Sequence, residues 1–248
     1  MLLLGLDVET TGLDEKNDFI TEIGAALYDT EMGEMPVKQI SFLINEKGRK
    51  PLEPIIPKLT GITDIMLEKY STPAQWVLGF LCELYDDVDY IVAHNASFDR
   101  AMLMSFISRY TEDIKPYEFK PKKWINTTTD LPLDRELCKF TNLTYLQAFH
   151  EILNPFPHRA ITDVMTMMKI FFMYDTEEII KRAESPTVRI WCKPGFHGKD
   201  APKKAGFYYN GDDKTWFKEF KECDLDQEKY ISNTLYDFQY NVDHLGAQ

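Results

Sequence analysis

The chain opens on an unbroken apolar run, Met1-Leu2-Leu3-Leu4-Gly5-Leu6, that ends in Asp7-Val8-Glu9-Thr10-Thr11-Gly12. Side chains along a strand alternate between its two faces. Leu2, Leu4, Leu6 and Val8 therefore leave one face, and Asp7 and Glu9 leave the other, roughly 6.5–7 Å apart along the strand. Leu3 and Gly5 share the acidic face without being polar, so both faces are covered, as in a central strand of a layered α/β sheet. Two carboxylates at the buried end of such a strand repel each other and lose hydration, a cost that a cation between them offsets. Two solvated acids at a strand end give the same pattern, and the pair alone does not separate the readings.

The rest of the pattern supplies a frame for that strand. Phe19 to Tyr28 alternates as a second strand, with Ile23, Ala25 and Leu27 on one side. Val37 to Asn45 reads as a third, with Ile40, Phe42 and Ile44. Short turns between three consecutive strands predict an antiparallel meander. A connection rich in proline (Pro51, Pro54, Pro57) leads to a short helix over Thr63 to Leu67. Ser71-Thr72-Pro73 then opens an amphipathic helix through Ala74, Val77, Leu78, Leu81 and Leu84. Tyr90 to Ala93 is a buried strand that, reached through a helix, should run parallel to the first.

Ser97 is the expected N-cap of the next helix, on which Asp99, Met102, Leu103, Phe106 and Ile107 share a face. Asp99 then points inward near the end of the first strand; the alternative is a carboxylate that only complements the helix N-terminus. Lys115 to Lys123 is a basic loop with Tyr117 and Phe119 interleaved, and Trp124 to Thr127 a short strand. Asn142 to Leu153 predicts a helix with Leu143, Leu146 and Phe149 inward. After Asn154-Pro155-Phe156-Pro157-His158-Arg159, a long helix with Val164, Met167, Met168, Phe171 and Phe172 runs towards Arg182. His158 and Asp163 lie five residues apart, about 140° around a helix axis. They share a site only if His158 sits on the loop before the helix. A histidine there is biased towards the neutral imidazole that a general base requires. An exposed loop histidine beside a solvated Asp is the other reading.

Composition narrows the classes. The chain has 248 residues, 44% hydrophobic and 27% charged, enough for one large domain or a medium domain with an appendage. Its net charge of -12 argues against broad electrostatic binding to duplex nucleic acid, but leaves room for a local site that meets phosphate through metal ions. The opening apolar run stops at Asp7 with no basic residue ahead of it, so neither a signal peptide nor a membrane span is expected. Cys82, Cys138, Cys192 and Cys223 show no Cys-x-x-Cys spacing and read as reduced thiols of a cytosolic protein. A kinase or NTPase would need a Gly-rich phosphate loop with Lys, which the sequence lacks.

Three segments occur in a fixed order: Asp7-Val8-Glu9-Thr10-Thr11-Gly12, His94-Asn95-Ala96-Ser97-Phe98-Asp99, and His158-Arg159-Ala160-Ile161-Thr162-Asp163. Together they resemble the three exonuclease motifs of the DEDDh 3′–5′ exonuclease superfamily, the group containing the bacterial polymerase proofreading subunit and ribonuclease T. Leu59-Thr60-Gly61-Ile62-Thr63 is similar to that family's segment before its first long helix. The resemblance spans about residues 1–182 and departs at Asn126-Thr127, where many members carry Asp-Thr. It implies a ribonuclease H-like α/β fold: a mixed sheet, antiparallel meander plus parallel strands, flanked by helices. It also implies that Asp7, Glu9, Asp99 and Asp163 hold two Mg²⁺ or Mn²⁺ ions, roughly 3.5–4 Å apart, about the scissile phosphate. His158 would take the proton of the attacking water, and the product would be a nucleoside 5′-monophosphate. Thr10, Thr11 and Leu13 would border the terminal nucleotide, with Asn95 and Phe98 as further substrate contacts; Phe98 also suits the core.

Residues 187–248 change character and read as a small α+β appendage to an exonuclease domain over residues 1–182. Thr187 to Lys193 predicts a strand, Ala205 to Lys218 a hairpin turning at Asn210-Gly211-Asp212-Asp213, and Gln227 to Tyr240 a closing helix. Residues 187–221 hold eight Lys or Arg against four Asp or Glu. The pattern is similar to small modules that follow exonuclease domains in some phage and bacterial proteins. Basic residues among exposed aromatics suit guidance of single strands, whereas Phe207, Tyr209, Trp216 and Phe217 could instead fill a small core. The expected partners are single-stranded DNA or RNA 3′ ends and a replication polymerase, with no membrane, in a bacterial cytoplasm or encoded by a phage. An RNA-trimming exoribonuclease and a non-catalytic polymerase-accessory binder are the rival readings.

Overall fold

The computed structural model describes residues 1–110, 119–134, 136–195, 198–226, 229, 232 and 234–246. The chain divides into two compact units, Met1–Ile179 and Ile180–Gln248.

The first unit is built on five strands: β1 (Leu2–Thr10), β2 (Ile20–Asp29), β3 (Lys38–Leu43), β4 (Tyr90–Ala93) and β5 (Lys123–Asn126). Their order is β3-β2-β1-β4-β5. β1, β2 and β3 pair antiparallel, while β4 runs parallel to β1 and β5 parallel to β4. This is the mixed α/β sheet the pattern predicts, with β1 in the centre. Leu4, Leu6 and Val8 enter a core with residues of α3 (Ala74–Tyr85) and α4 (Ala96–Arg109). The acidic face of β1 is covered by α6 (Ala160–Phe171). Two glycines allow that approach. A Cβ on Gly5 would stand 2.8 Å from Met168 Cγ, and one on Gly24 would stand 2.4 Å from the Ile161 amide nitrogen.

Several elements differ from the sequence reading, each for a local reason. The proline-rich connection contains a helix, α1 (Ile55–Thr60). Pro57 sits in its first turn, where an amide has no intrahelical acceptor to lose, and Gly61 ends it at φ +71°. α2 extends over Asp64–Tyr70. α4 begins at Ala96, so Ser97 lies in the first turn and is not the N-cap; Asn95 holds that position with φ 72°. Asparagine tolerates this left-handed geometry better than most residues. α5 (Leu143–Phe149) stops early. His150 Nδ1 pairs with the Leu146 carbonyl at 2.7 Å, and Glu151 turns the chain with φ 56°. Leu146 is buried as expected, but Phe149 is exposed. The long last helix breaks after Phe171, and α7 (Thr176–Glu184) restarts where Asp175 Oδ1 accepts the Glu177 and Glu178 amides. Of the basic loop, Tyr117 and its neighbours from 111 to 118 lie outside the described residues; Phe119 packs against the core. Among the described residues, no helix is long and apolar enough to cross a membrane.

The second unit holds a four-stranded antiparallel sheet of β6 (Thr187–Cys192), β7 (Tyr208–Asn210), β8 (Thr215–Lys221) and β9 (Asn241–Gly246), in the order β7-β8-β6-β9. A short helix, α8 (Asp200–Lys204), precedes β7. Val188, Ile190, Phe207 and Leu225 form its core, with Trp216 packed against it. Tyr209 is exposed and Phe217 half-buried. Of the expected closing helix, 227, 228, 230, 231 and 233 lie outside the described residues. Leu235 to Phe238 form bends, not helix. Tyr236 and Phe238 both lay rings against Phe207, an i, i+2 alternation that suits extended chain.

Candidate active site

The site forms where β1 ends and two helices begin. In the antiparallel register Asp7 faces Gly24 and Glu9 faces Glu22, so the acidic face of β1 meets β2 at a glycine and at another acid. The first turn of α4 brings in Asp99, 2% exposed, whose Oδ1 accepts the Val8 amide at 3.2 Å. The first turn of α6 brings in Asp163. His158 lies on the preceding loop with φ 61°, and its amide donates to Asp163 Oδ2 at 3.0 Å. Asn154 Nδ2 donates to Asp163 Oδ1 at 2.6 Å. Ligand atoms of Glu9, His158 and Asp163 all lie within 4.8 Å of one another.

The electrostatics follow from burial and crowding. Burial raises the Asp7 carboxyl well above the usual range, and Asp99, Glu9, Asp163 and Glu22 push it further. Glu9 is raised to about 8 by burial first, then by Asp163, Glu22 and Asp99, with Arg159 opposing. Asp99 is raised by burial to about 8, against the Val8 amide. Asp163 is also raised by burial, against its hydrogen bonds from His158 and Asn154. A hard divalent cation with oxygen ligands is the group that relieves such a set, and carboxylate oxygens are the donors Mg²⁺ or Mn²⁺ takes.

A cavity of about 220 Å³ opens at Asp7, His158 and Asp163. His94, Asn142, Thr144 and Gln147 also line it, and none of these stood among the candidate residues. His94 opens the second motif, so a signal for it was present. The other three lie on or just before α5, whose pattern reports only its buried side. Burial pushes His94 down to about 4, and its Nδ1 lies 2.9 Å from Thr127 Oγ1. Asn126 Oδ1, at the position where the family pattern departs, accepts the Asn95 amide at 3.1 Å.

The expected substrate contacts are placed unevenly. Thr10 is buried, and its hydroxyl donates to the Gly12 carbonyl at 2.6 Å. Thr11 Oγ1 donates to Asp18 Oδ1 at 2.9 Å and accepts the Phe19 amide at 3.0 Å. Both hydroxyls shape the loop after β1. Leu13 is 84% exposed and Asn95 is exposed, while Phe98 is half-buried against the core.

A family model described as Exonuclease matches residues 4–171. The PolC-type DNA polymerase III of Thermotoga maritima is 33% identical over 174 residues, covering 68% of this chain and 11% of the relative. The 3′–5′ exonuclease DinG of Staphylococcus haemolyticus is 30% identical over 176 residues, covering 68% of this chain and 18% of the relative. The chain thus spans less than a fifth of the length of either relative. Among solved structures, a zinc-bound complex of E. coli ExoI with ssDNA aligns with a TM-score of 0.63 at 15% identity, over 79% of this chain and 49% of that one. The nuclease domain of 3′hExo, a DEDDh family member bound to rAMP, aligns with a TM-score of 0.55 at 17% identity, over 69% and 90%. At these identities the structures show a common fold.

Proposed function

The chain belongs to the exonuclease family, and from that premise we propose that it is a metal-dependent 3′–5′ exonuclease that removes nucleoside 5′-monophosphates from single-stranded DNA ends. One observation carries the reading. Asp7, Glu9, Asp99 and Asp163 converge beside His158 with their carboxyls held high, and among the described residues no lysine or arginine pairs with any of them.

Asp7, Glu9, Asp99 and Asp163 are the residues that would hold two Mg²⁺ or Mn²⁺ ions. When bound, such ions supply Lewis-acid polarisation of the phosphate and ease deprotonation of water. His158 takes the proton of the attacking water as general base. A bond forms from that water oxygen to phosphorus, the bond to the 3′ oxygen of the next nucleotide breaks, and that oxygen takes up a proton from solvent, leaving the shortened strand with a 3′-hydroxyl. The hydrogen bond from the His158 amide to Asp163 holds the imidazole-bearing loop against the acids. Thr10, Thr11, Leu13, Asn95 and Phe98 border the terminal nucleotide in this reading.

DNA as substrate is supported by the PolC-type relative, whose name places it in a DNA polymerase, and by ExoI, solved with ssDNA. The same relative supports a replication polymerase as partner in a bacterial cell. RNA trimming is the second reading, favoured by 3′hExo, solved with rAMP, and by a 3′-exonuclease described as recognising a histone mRNA stem-loop. The division into an exonuclease domain over residues 1–182 and an accessory module over residues 187–248 belongs to the proposal. The Arg189 guanidinium lies 4.9 Å above the Phe217 ring, and Tyr208 and Tyr209 are exposed, features that suit stacking of single-stranded bases.

The test is degradation of matched DNA and RNA oligonucleotides labelled at the 5′ end, with Mg²⁺ and with chelator. A ladder shortening from the 3′ end of DNA, abolished by chelator, is expected. Faster loss of RNA moves the assignment to the second reading, and intact strands under every condition contradict both.

A further inference from the structure

We propose that Glu22 and Arg159 form a positioning pair that sets the His158 loop, an inference that rests on the exonuclease reading above. Glu22 stands on β2 opposite Glu9 of β1, so the two side chains leave the same face of the sheet. It is 1% exposed. Arg159 Nη2 donates to Glu22 Oε1 at 2.7 Å and Nε to Oε2 at 2.9 Å, a two-bond fork. The Ala160 amide also donates to Glu22 Oε2, at 3.1 Å.

Arg159 occupies the N-cap position of α6, yet its own side chain makes no cap. Glu22 supplies that acceptor from a neighbouring strand, 137 or 138 residues away in sequence. Gly24 lies two residues along β2 on the same face, and only its missing side chain lets the backbone of Ala160 and Ile161 settle there. The N-terminus of α6 is thus fixed to β2 by a charged fork, a hydrogen bond from the Ala160 amide and a close backbone contact. His158, one residue upstream with φ 61°, is held between that anchor and its bond to Asp163. Both charged bonds of Arg159 go to Glu22, so its hold on the site runs through the loop that carries His158. Lysine offers a point charge without the fork and cannot replace it.

The test uses the full chain with Arg159→Lys, Arg159→Ala, Glu22→Gln, His158→Ala and the Arg159→Ala/His158→Ala double change. Steady-state cleavage of a single-stranded oligonucleotide is measured beside amide hydrogen exchange in metal-free protein. Misplacing a reacting group by about an ångström costs on the order of 100-fold in rate. We expect kcat to fall about 100-fold in Arg159→Ala and about 10-fold in Arg159→Lys and Glu22→Gln, with KM changed by less than about twofold. Arg159→Ala should add no further loss once His158 is gone. Exchange at the His158 and Ala160 amides should quicken about tenfold in Arg159→Lys and Glu22→Gln, which retain charge or shape, while the Leu4 amide stays protected. Multiplying losses in the double variant, a raised KM or unchanged exchange overturns the positioning role and leaves the exonuclease reading intact. A wild-type chain without turnover ends both.

Discussion

Two groups of buried acids lie close together in the first unit and are treated differently. Glu46, 3% exposed, receives Arg109 Nε on Oε2 at 2.8 Å and Nη2 on Oε1 at 2.9 Å, together with the Ile20 amide at 3.0 Å. Glu22 has the same equipment from Arg159 and Ala160. Asp7, Glu9, Asp99 and Asp163 have no such fork among the described residues; burial raises all four, and repulsion from neighbouring acids adds to it for Asp7, Glu9 and Asp163. Glu9 and Glu22 make the contrast sharpest, since they are direct cross-strand partners. The fold thus neutralises Glu22 and Glu46 with arginine. The four bare acids are the ones that, in the proposed function, a cation from outside would balance.

The largest effects should break the bare group. Asp7→Ala or Asp163→Ala should abolish strand cleavage in a gel assay, because each removes a ligand oxygen that no neighbour replaces. His158→Ala should slow cleavage by about 10²–10⁴ in single-turnover measurements, the span of a lost general base. Substitution in the paired group should act on the opposite quantity. Arg109→Ala leaves Glu46 buried and unpaired, and chemical denaturation should show a loss of about 3–5 kcal/mol. At pH 9, above the value of about 8 at which Asp99 ionises, Asp99→Asn should do the reverse in metal-free protein, raising the melting temperature by about 2–4 °C as one repelling charge leaves.

A smaller effect concerns pH. Glu9 and Asp99 titrate at about 8 in the metal-free folded chain, against ordinary values of 4.5 and 3.8. Above about pH 5 the unfolded chain has released protons that the folded chain still holds, so stability falls as pH rises. His94 opposes this, but with a folded value of about 4 against an ordinary 6.5 it acts only below 6.5. Between pH 6.5 and 8 the raised carboxylates give the slope its sign. The melting temperature of metal-free protein should drop across that window, and excess Mg²⁺ should flatten the curve.

Much of this site was legible before any coordinates. Alternation placed Asp7 and Glu9 on one face of a central strand, and the helical repeat placed Asp99 inward. The geometry of a five-residue step put His158 on a loop ahead of α6, where it lies. Other features were hidden for a common reason: they depend on partners remote in sequence. Nothing in Phe19 to Tyr28 says that Glu22 meets Arg159, because periodicity reports which way a side chain points and not what waits there. The break at Asp175 and the early end of α5 depend on side-chain caps, from Asp175 and His150, that compete with a continuing apolar stripe. α1 was masked by prolines, although Pro57 in its first turn costs little.

The central claim is that the four bare acids are a cation site, and calorimetric titration of Mg²⁺ into the full chain at pH 7, repeated in buffers of different ionisation enthalpy, tests it most directly. With Glu9 and Asp99 titrating at about 8, binding should displace at least one proton per chain, and Asp7→Asn should weaken it at least about tenfold. Absence of binding at millimolar Mg²⁺, or binding that releases no proton and ignores Asp7→Asn, would contradict the account.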